Sequence, residues 1–489
     1  MTDKSRDGGA LVERRSIDYV PSAERHGAPW QQAPFWFLGN LVFLTVAIGF
    51  IGPSMGLSVG WTILAAALGP FFGSLFTAFH ASQGPVMGLP QMIQSRAQFG
   101  FRGVLLPLVG AAFAFTAFNV IDVAMISSGF HHLFGWNAVT VGIAVSVFGV
   151  LLAVFGHDWI HTAFRWILYV SLPCYLVLTI GILTGNAGGT RVVDTGGFDF
   201  VAFMAQFAAT ASFSITYACY ISDYTRYLPR TTSPRRLIAF VFCGAAVPVV
   251  WLAGIGAWLA VHLKATDALV ALRDAADAVV PGSGDAFAVL AAVTLAATIG
   301  LNGYSGTLTV MTGIDSVKSF KPTPTRRIVV LLVLAVIWTA VGLSLPEDYL
   351  TAVNNILAFM LFLLVPWTAV NLVDYFFVRR GHYAVTELFK TDGLYGAWGR
   401  RGLIAFLASL VSMVPFMAVP DVFTGPAADA MGGIDISFVV GLVVGGGLYY
   451  LLCRSLDVSS EAALVAASDR ELEGPAAHDD AQALNGEPA

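Results

Sequence analysis

Charge is what this chain has least of. Asp, Glu, Lys and Arg make up 12% of its 489 residues and hydrophobic residues 56%, at a mean hydropathy of +0.73. Soluble domains carry about a quarter of their residues as charges, so the composition excludes a soluble globular protein and indicates a polytopic membrane protein. The net charge of -5 is no whole-surface property, because the charges are segregated into loops and tails, and no nucleic-acid partner is implied. Cysteine is scarce as well. Cys174, Cys219, Cys243 and Cys453 sit in apolar segments without CxxC or metal-ligand spacing and read as small core residues. The chain has no G-x-x-x-x-G-K-[ST] phosphate loop and no Gly-Lys pair, which excludes an ATP-driven motor within it. His157-Asp158-Trp159-Ile160-His161 has the two-His spacing of a zinc-protease helix, but Asp replaces the Glu base and the segment reads as a short cytoplasmic loop, so no metal site is expected.

What is present is long uncharged runs. From His26 through Ser95 there is no Asp, Glu, Lys or Arg, and a helix needs about 20 apolar residues to cross a bilayer. That run predicts two spans, near 34–56 and 59–79. Ten more are expected near 104–130, 138–156, 162–184, 199–220, 237–262, 285–311, 326–344, 350–377, 402–420 and 436–453. With the N-terminus inside, all of the 26 basic residues except Arg191, Lys264 and Arg273 fall on the cytoplasmic side, as positive-inside placement requires. A missed or invented helix would invert every later loop. The reading is therefore an all-α protein of twelve spans in the plasma (inner) membrane, with both termini cytoplasmic. Residues 1–33 form a cytoplasmic N-terminal segment lacking the apolar core of a signal peptide. Residues 34–454 form the membrane domain. Residues 455–489, with eight acids and one Arg among small residues, have too little apolar surface to fold and are expected to be disordered.

Four spans carry polar groups at one depth. Between Asp199 and Asp223 there is no Asp, Glu, Lys or Arg, and Ser212, Ser214, Thr216 and Tyr217 place hydroxyls near mid-span. In the first span Gly49, Gly52 and Pro53 interrupt an apolar run containing Asn40 and Thr45, the sequence pattern of a discontinuous helix whose backbone groups hold ions. In the third, Phe115 and Asn119 share a face; such a pair stacks and hydrogen-bonds a planar ligand. In the eighth, Thr298 and Asn302 share a face beside Gly300, Gly303 and Gly306, which allow a neighbour close. With span centres near residues 45, 117, 210 and 298, Thr45, Phe115, Asn119, Ser212, Ser214, Thr298 and Asn302 lie within roughly 10 Å of the midplane. Packing explains any one of them more easily than their convergence, and secondary transporters bind substrate at that level.

At these residues the chain resembles the purine-cytosine permease family of nucleobase:cation symporters. The segments that carry the likeness are Glu24 to Gly27, GLPQMIQSRAQFGFRG from Gly88 to Gly103, YISDYTRYLP from Tyr220 to Pro229, Asn302-Gly303-Tyr304-Ser305, and NLVDYFFVRRGHY from Asn371 to Tyr383. The resemblance implies a LeuT-like fold: inverted repeats at about 34–184 and 199–377, and two accessory helices at about 402–453. Helices one and six would be the broken pair. It also implies a heterocycle held between an aromatic on helix three, Phe115, and one on helix six, Tyr217, where the family usually has Trp. Asn119 and Asn302 would read its edge, with Ser214 and Thr298 beside them. Thr298 stands where many members have a second Asn, and Cys219 where Pro is common. Sodium-coupled members resemble one another in having hydroxyls where this chain has Ala296 and Ala297, which favours a proton as coupling ion.

Asp122 is the only Asp, Glu, Lys or Arg between Arg102 and Asp158. A carboxylate within an apolar span is costly unless paired, hydrated or protonated, and is a functional candidate. Asp122, Thr45 and Gly49 are thus the ion-coupling candidates. The expected function is uptake of a purine, cytosine or related heterocycle with protons, by alternating access. A sodium-coupled or cationic-substrate carrier and a non-transporting nutrient sensor remain the alternatives. No enzymatic activity, cofactor or protein partner is expected; the partners implied are the heterocycle and the lipid bilayer.

Overall fold

In the computed structural model, which describes residues 13, 15–189, 196–345, 350–419 and 421–473, the apolar runs fold as helices started by the caps their sequences supply. Ser58, Asn137, Asp199 and Thr323 each accept a backbone N–H of the first turn that follows. Pro234 and Pro324 open their helices at the position where a missing N–H costs nothing.

The first span, α1, is interrupted: Gln32–Asn40, Phe43–Ile48 and Ile51–Ser54. Then come α2 (Val59–Ala81), α3 (Leu105–Phe134), α4 (Ala138–Phe155) and α5 (His157–Leu183). The span α6 runs over Phe200–Ile215, tightens to a 3-10 turn at Thr216–Cys219 and resumes as Ile221–Thr225. It is followed by α7 (Pro234–His262), α8 (Gly284–Val317), α9 (Pro324–Gly342), α10 (Leu350–Val373), α11 (Arg400–Met413), α12 (Ser437–Cys453) and a final amphipathic α13 (Ala462–Glu473). Twelve helical segments thus lie where the sequence places spans. Among the described residues nine are singly long and apolar enough to cross a bilayer, and up to eleven if each bent pair is one span. Two-residue strands Ala418–Val419 and Phe423–Thr424 pair antiparallel between α11 and α12.

The packing is twofold repeated. α1 packs on α7 as α6 packs on α2; α4 packs on α8 as α9 packs on α3; α5 packs on α1 as α10 packs on α6. Adding five to each index maps one half onto the other, with α3 against α8 on the pseudo-axis and α11 and α12 set against α10. Glycines permit the closest approaches in both halves. A Cβ on Gly256 of α7 would lie 2.0 Å from the Val46 carbonyl of α1, and one on Gly73 of α2 would lie 2.3 Å from the Ala211 carbonyl of α6.

Two expectations are corrected. The sharp bend in α1, 62°, falls at Leu41–Val42 rather than at the Gly-Pro cluster; Val42 is extended (φ -125°, ψ 148°), and only a minor second break follows at Gly49–Phe50. The C-terminal stretch is not disordered from 455. It is helical through Glu473 because its acids find cations on the body: Glu461 accepts from Arg379 (3.1 and 3.2 Å) and Asp469 from Arg230 (3.2 Å). Glu473 accepts from the Tyr19 hydroxyl and from Ser22 N (3.1 Å). Residues 474–489, like 1–12 and 14 of the N-terminal segment, lie outside the described residues.

Candidate functional site

The two breaks face each other. At the α1 break the freed groups are met by side chains: Asn40 Nδ2 donates to the Trp36 carbonyl (2.7 Å), Thr45 Oγ1 to the Asn40 carbonyl (3.1 Å), and Tyr217 of α6 to the Gly39 carbonyl (2.8 Å). Backbone polar groups opened in a membrane span need such partners. Beyond the second break, Gln206 of α6 accepts from Gly52 N (2.8 Å) and donates to the Ile48 carbonyl (3.2 Å).

In α6 most hydroxyls serve packing. Ser212 donates to the Leu357 carbonyl of α10, and Thr216 to its own Phe213 carbonyl (2.6 Å). Ser214 turns to α2: its carbonyl accepts from Thr77 (2.8 Å), and its Cβ would lie 2.9 Å from a Cβ on Gly73. The 3-10 turn instead aims Tyr217 and Tyr220 inward, their rings 5.4 Å apart. Tyr220 meets Phe115 edge-on at 4.9 Å, and its hydroxyl lies 3.4 Å from Asn302 Oδ1.

These elements enclose a cavity lined by Gly39, Val42 and Leu44 of α1, Phe118 and Asp122 of α3, Phe213, Tyr217 and Tyr220 of α6, and Leu295, Thr298 and Asn302 of α8. Its free volume is ≈ 10 Å³, room for about one water, against roughly 300–1,000 Å³ for sites that hold drug-sized ligands. The structure is a closed state, and a heterocycle enters only if these helices part. Asp122 is fully buried, and one of its oxygens, Oδ1, has no hydrogen-bond partner among the described residues. The other lies 3.0 Å from Thr298 Oγ1, which lies 2.6 Å from the Leu295 carbonyl. A hydroxyl has one proton to give, so Thr298 serves both neighbours when Asp122 is protonated and donates to it.

The structure thus brings Tyr217, Thr298, Asn302 and Asp122 to one cavity. Asn119 lies beside it, donating to the Ile299 carbonyl (3.2 Å) with Oδ1 unpaired. Phe115 stands behind Tyr220 and against Gly306, where a Cβ would meet it at 3.2 Å. Ser214, Thr45 and Gly49 do not reach the cavity. Thr45 caps the α1 break, and Gly49 is a close packing contact whose Cβ would lie 2.2 Å from the Ala253 carbonyl. Sequence reasoning missed Tyr220, although it sits three residues beyond Tyr217, and missed Gln206, a buried amide earlier in the same span.

A cavity at mid-span between two interrupted helices of a repeated bundle defines a membrane transporter of the LeuT-like class. A family model described as a permease for cytosine/purines, uracil, thiamine and allantoin matches residues 19–441, and the chain belongs to that family. It is 33% identical over 450 residues to YxlA of Bacillus subtilis (strain 168), a purine-cytosine permease by name, covering 91% of this chain and 96% of that one. It is 25% identical over 469 residues to the purine-cytosine permease fcyB of Emericella nidulans, covering 91% and 89%. In fold it is similar to Mhp1, a nucleobase-cation-symport-1 family transporter solved in a closed conformation with bromovinylhydantoin bound. The TM-score is 0.70 at 20% identity, over 94% of this chain and 99% of that one.

Proposed function

We propose that this permease imports a purine, cytosine or related planar heterocycle across the plasma (inner) membrane by proton symport, with both termini cytoplasmic. The heterocycle enters between the α6 tyrosines and the α3–α8 seam when the closed cavity opens. Asn302, Asn119 and Thr298 read its donor and acceptor edge, and Tyr217 and Tyr220 stack on it. The names of the relatives support the substrate class, and the placement of Lys and Arg supports the orientation.

The observation that carries the proton assignment is Asp122: it lines the cavity with one oxygen unpaired and the other shared with Thr298. Protonated, it satisfies that hydroxyl; ionised, it stands in apolar surroundings that only hydration or a cation relieves. Ala296 and Ala297, both buried on α8, offer no side-chain oxygen to sodium, and hard cations take several oxygen ligands. A carboxylate facing the cavity also favours a cationic heterocycle as the second reading. The expected outcome in proteoliposomes is uptake driven by an inward proton gradient and not by a sodium gradient at constant pH, with Asp122→Asn impairing accumulation more than exchange. Sodium-stimulated uptake insensitive to pH contradicts the proton assignment. Normal accumulation by Asp122→Asn leaves proton coupling standing and removes Asp122 from it.

A further inference from the structure

On the face that carries both described ends, far along the chain from one another, two histidines and a carboxylate converge. His26 precedes α1; His157 and Asp158 open α5. His26 Nε2 lies 3.4 Å and His157 Nδ1 2.8 Å from Asp158 Oδ1, and the three donor atoms fall within 4.8 Å of one another. Zinc bonded at about 2.0–2.1 Å in a tetrahedron sets its donors roughly 3.3 Å apart, so these side chains need only small adjustments to close on one ion.

We propose that His26, His157 and Asp158 form a binding site for a transition-metal dication of the zinc type. Several features orient the donors. His26 Nδ1 donates to the Glu24 carbonyl (3.0 Å), which leaves Nε2 as the free lone pair, the outer-sphere arrangement usual for metal-bound imidazole. The His157 ring is held against Tyr227 (centroids 4.2 Å apart), and its backbone N donates to Glu13 (3.2 Å). Imidazole and carboxylate together suit zinc, nickel or cobalt rather than magnesium or calcium. The fourth position opens to a cleft of ≈ 500 Å³ that also meets Gln31, His161 and Arg165. His161, the second His of the i, i+4 pair, stacks on Phe35 at 3.9 Å instead and lies outside the donor set. His26 N also donates to the Tyr227 carbonyl beyond the end of α6 (2.7 Å). A bound ion therefore ties the lead into α1, which that backbone bond already holds to the end of α6, to the start of α5, and holds shut the cleft between them, the mouth of the transport path on that face. This last consequence rests on the transport reading; metal binding does not.

The test uses the purified full chain, stripped with a chelator and titrated with Co²⁺ followed by its visible absorption, with Zn²⁺ as competitor. One saturable site with tetrahedral bands is expected. His26→Ala and Asp158→Asn, at side chains 58% and 74% exposed and so replaceable without unfolding, should each weaken it by more than about tenfold, the least that loss of even an outer-sphere partner costs at the low end. His132→Ala, at a distant histidine, should leave it unchanged. Absence of a saturable site, or equal affinity in both ligand variants, overturns the proposal. In substrate exchange, Zn²⁺ should slow the wild type and spare Asp158→Asn; equal inhibition of both overturns the closure of the mouth while leaving the metal site to its own titration.

Discussion

Tyr217 and Tyr220 stand three residues apart on one short turn and do different things. Tyr217 holds the Gly39 carbonyl at the α1 break and meets Trp36 edge-on (5.6 Å), while Tyr220 bridges Phe115 and Asn302. Removing either ring should weaken binding of the transported base by about 1–3 kcal/mol, the range for bases on protein aromatics. Tyr217→Phe keeps the ring and isolates the loss of the Gly39 bond. Ser214→Ala should leave affinity unchanged, since its side chain faces α2. Equilibrium binding to purified variants checks all four; unchanged affinity in both alanine variants at the tyrosines removes them from the site. Asn302, Thr298 and Asp122 were legible as candidates because their spans place polar groups at one depth, and the structure puts all three on the cavity wall. Ser214 was not separable from Tyr217, because both are hydroxyls at one depth and periodicity does not say which neighbour a face meets.

At the scale of the element, α1 shows why a break is easier to foresee than to locate. Gly49, Gly52 and Pro53 marked it as discontinuous, yet it bends at Leu41–Val42, between residues with no intrinsic reason to leave a helix. Within the span Asn40 and Thr45 cap the bend, and from outside Tyr217 of α6 holds the Gly39 carbonyl. Tertiary partners of that kind leave no local trace. Gln206 plays the same part at the second break, pairing Gly52 N and the Ile48 carbonyl. Gln206→Leu leaves both buried and unmet, at about 1–3 kcal/mol for each group. A clear fall in the thermal unfolding midpoint in detergent is expected, and an unchanged midpoint would mean that water or a neighbour replaces the amide.

Across the whole molecule, the segments that made the family legible mostly build scaffold around the cavity; of them only Tyr220, which opens YISDYTRYLP, and Asn302 line it. In GLPQMIQSRAQFGFRG, Gln91 N donates to Asp223 of SDYTRYLP (2.9 Å) and Arg96 pairs with Asp315 (2.9 Å). In NLVDYFFVRRGHY, Asp374 accepts from Tyr383, Tyr449, Gln98 and Arg379 at 2.9, 2.9, 2.6 and 2.7 Å, joining the end of α10 to α12 and, through Glu461, to the C-terminal helix. The order of that helix could not be read locally, since acids scarce in apolar neighbours look unfolded until their distant arginines are known. Asp374→Ala leaves Arg379 with Glu461 alone and takes the acceptor from the buried Gln98, Tyr383 and Tyr449 donors, at about 1–3 kcal/mol for each group left unmet, seen as a clear drop in unfolding temperature; near-wild-type stability would contradict the network. Transport of a heterocycle requires the closed cavity between α1, α3, α6 and α8 to open alternately to the two sides. Counterflow tests it most directly: proteoliposomes loaded with unlabelled cytosine, adenine, guanine, hypoxanthine or uracil are diluted into trace amounts of the labelled base. Transient accumulation above equilibrium is expected for at least one base and is lost in Asn302→Ala. Absence of any overshoot across the panel, with folded protein in the membrane, would contradict it.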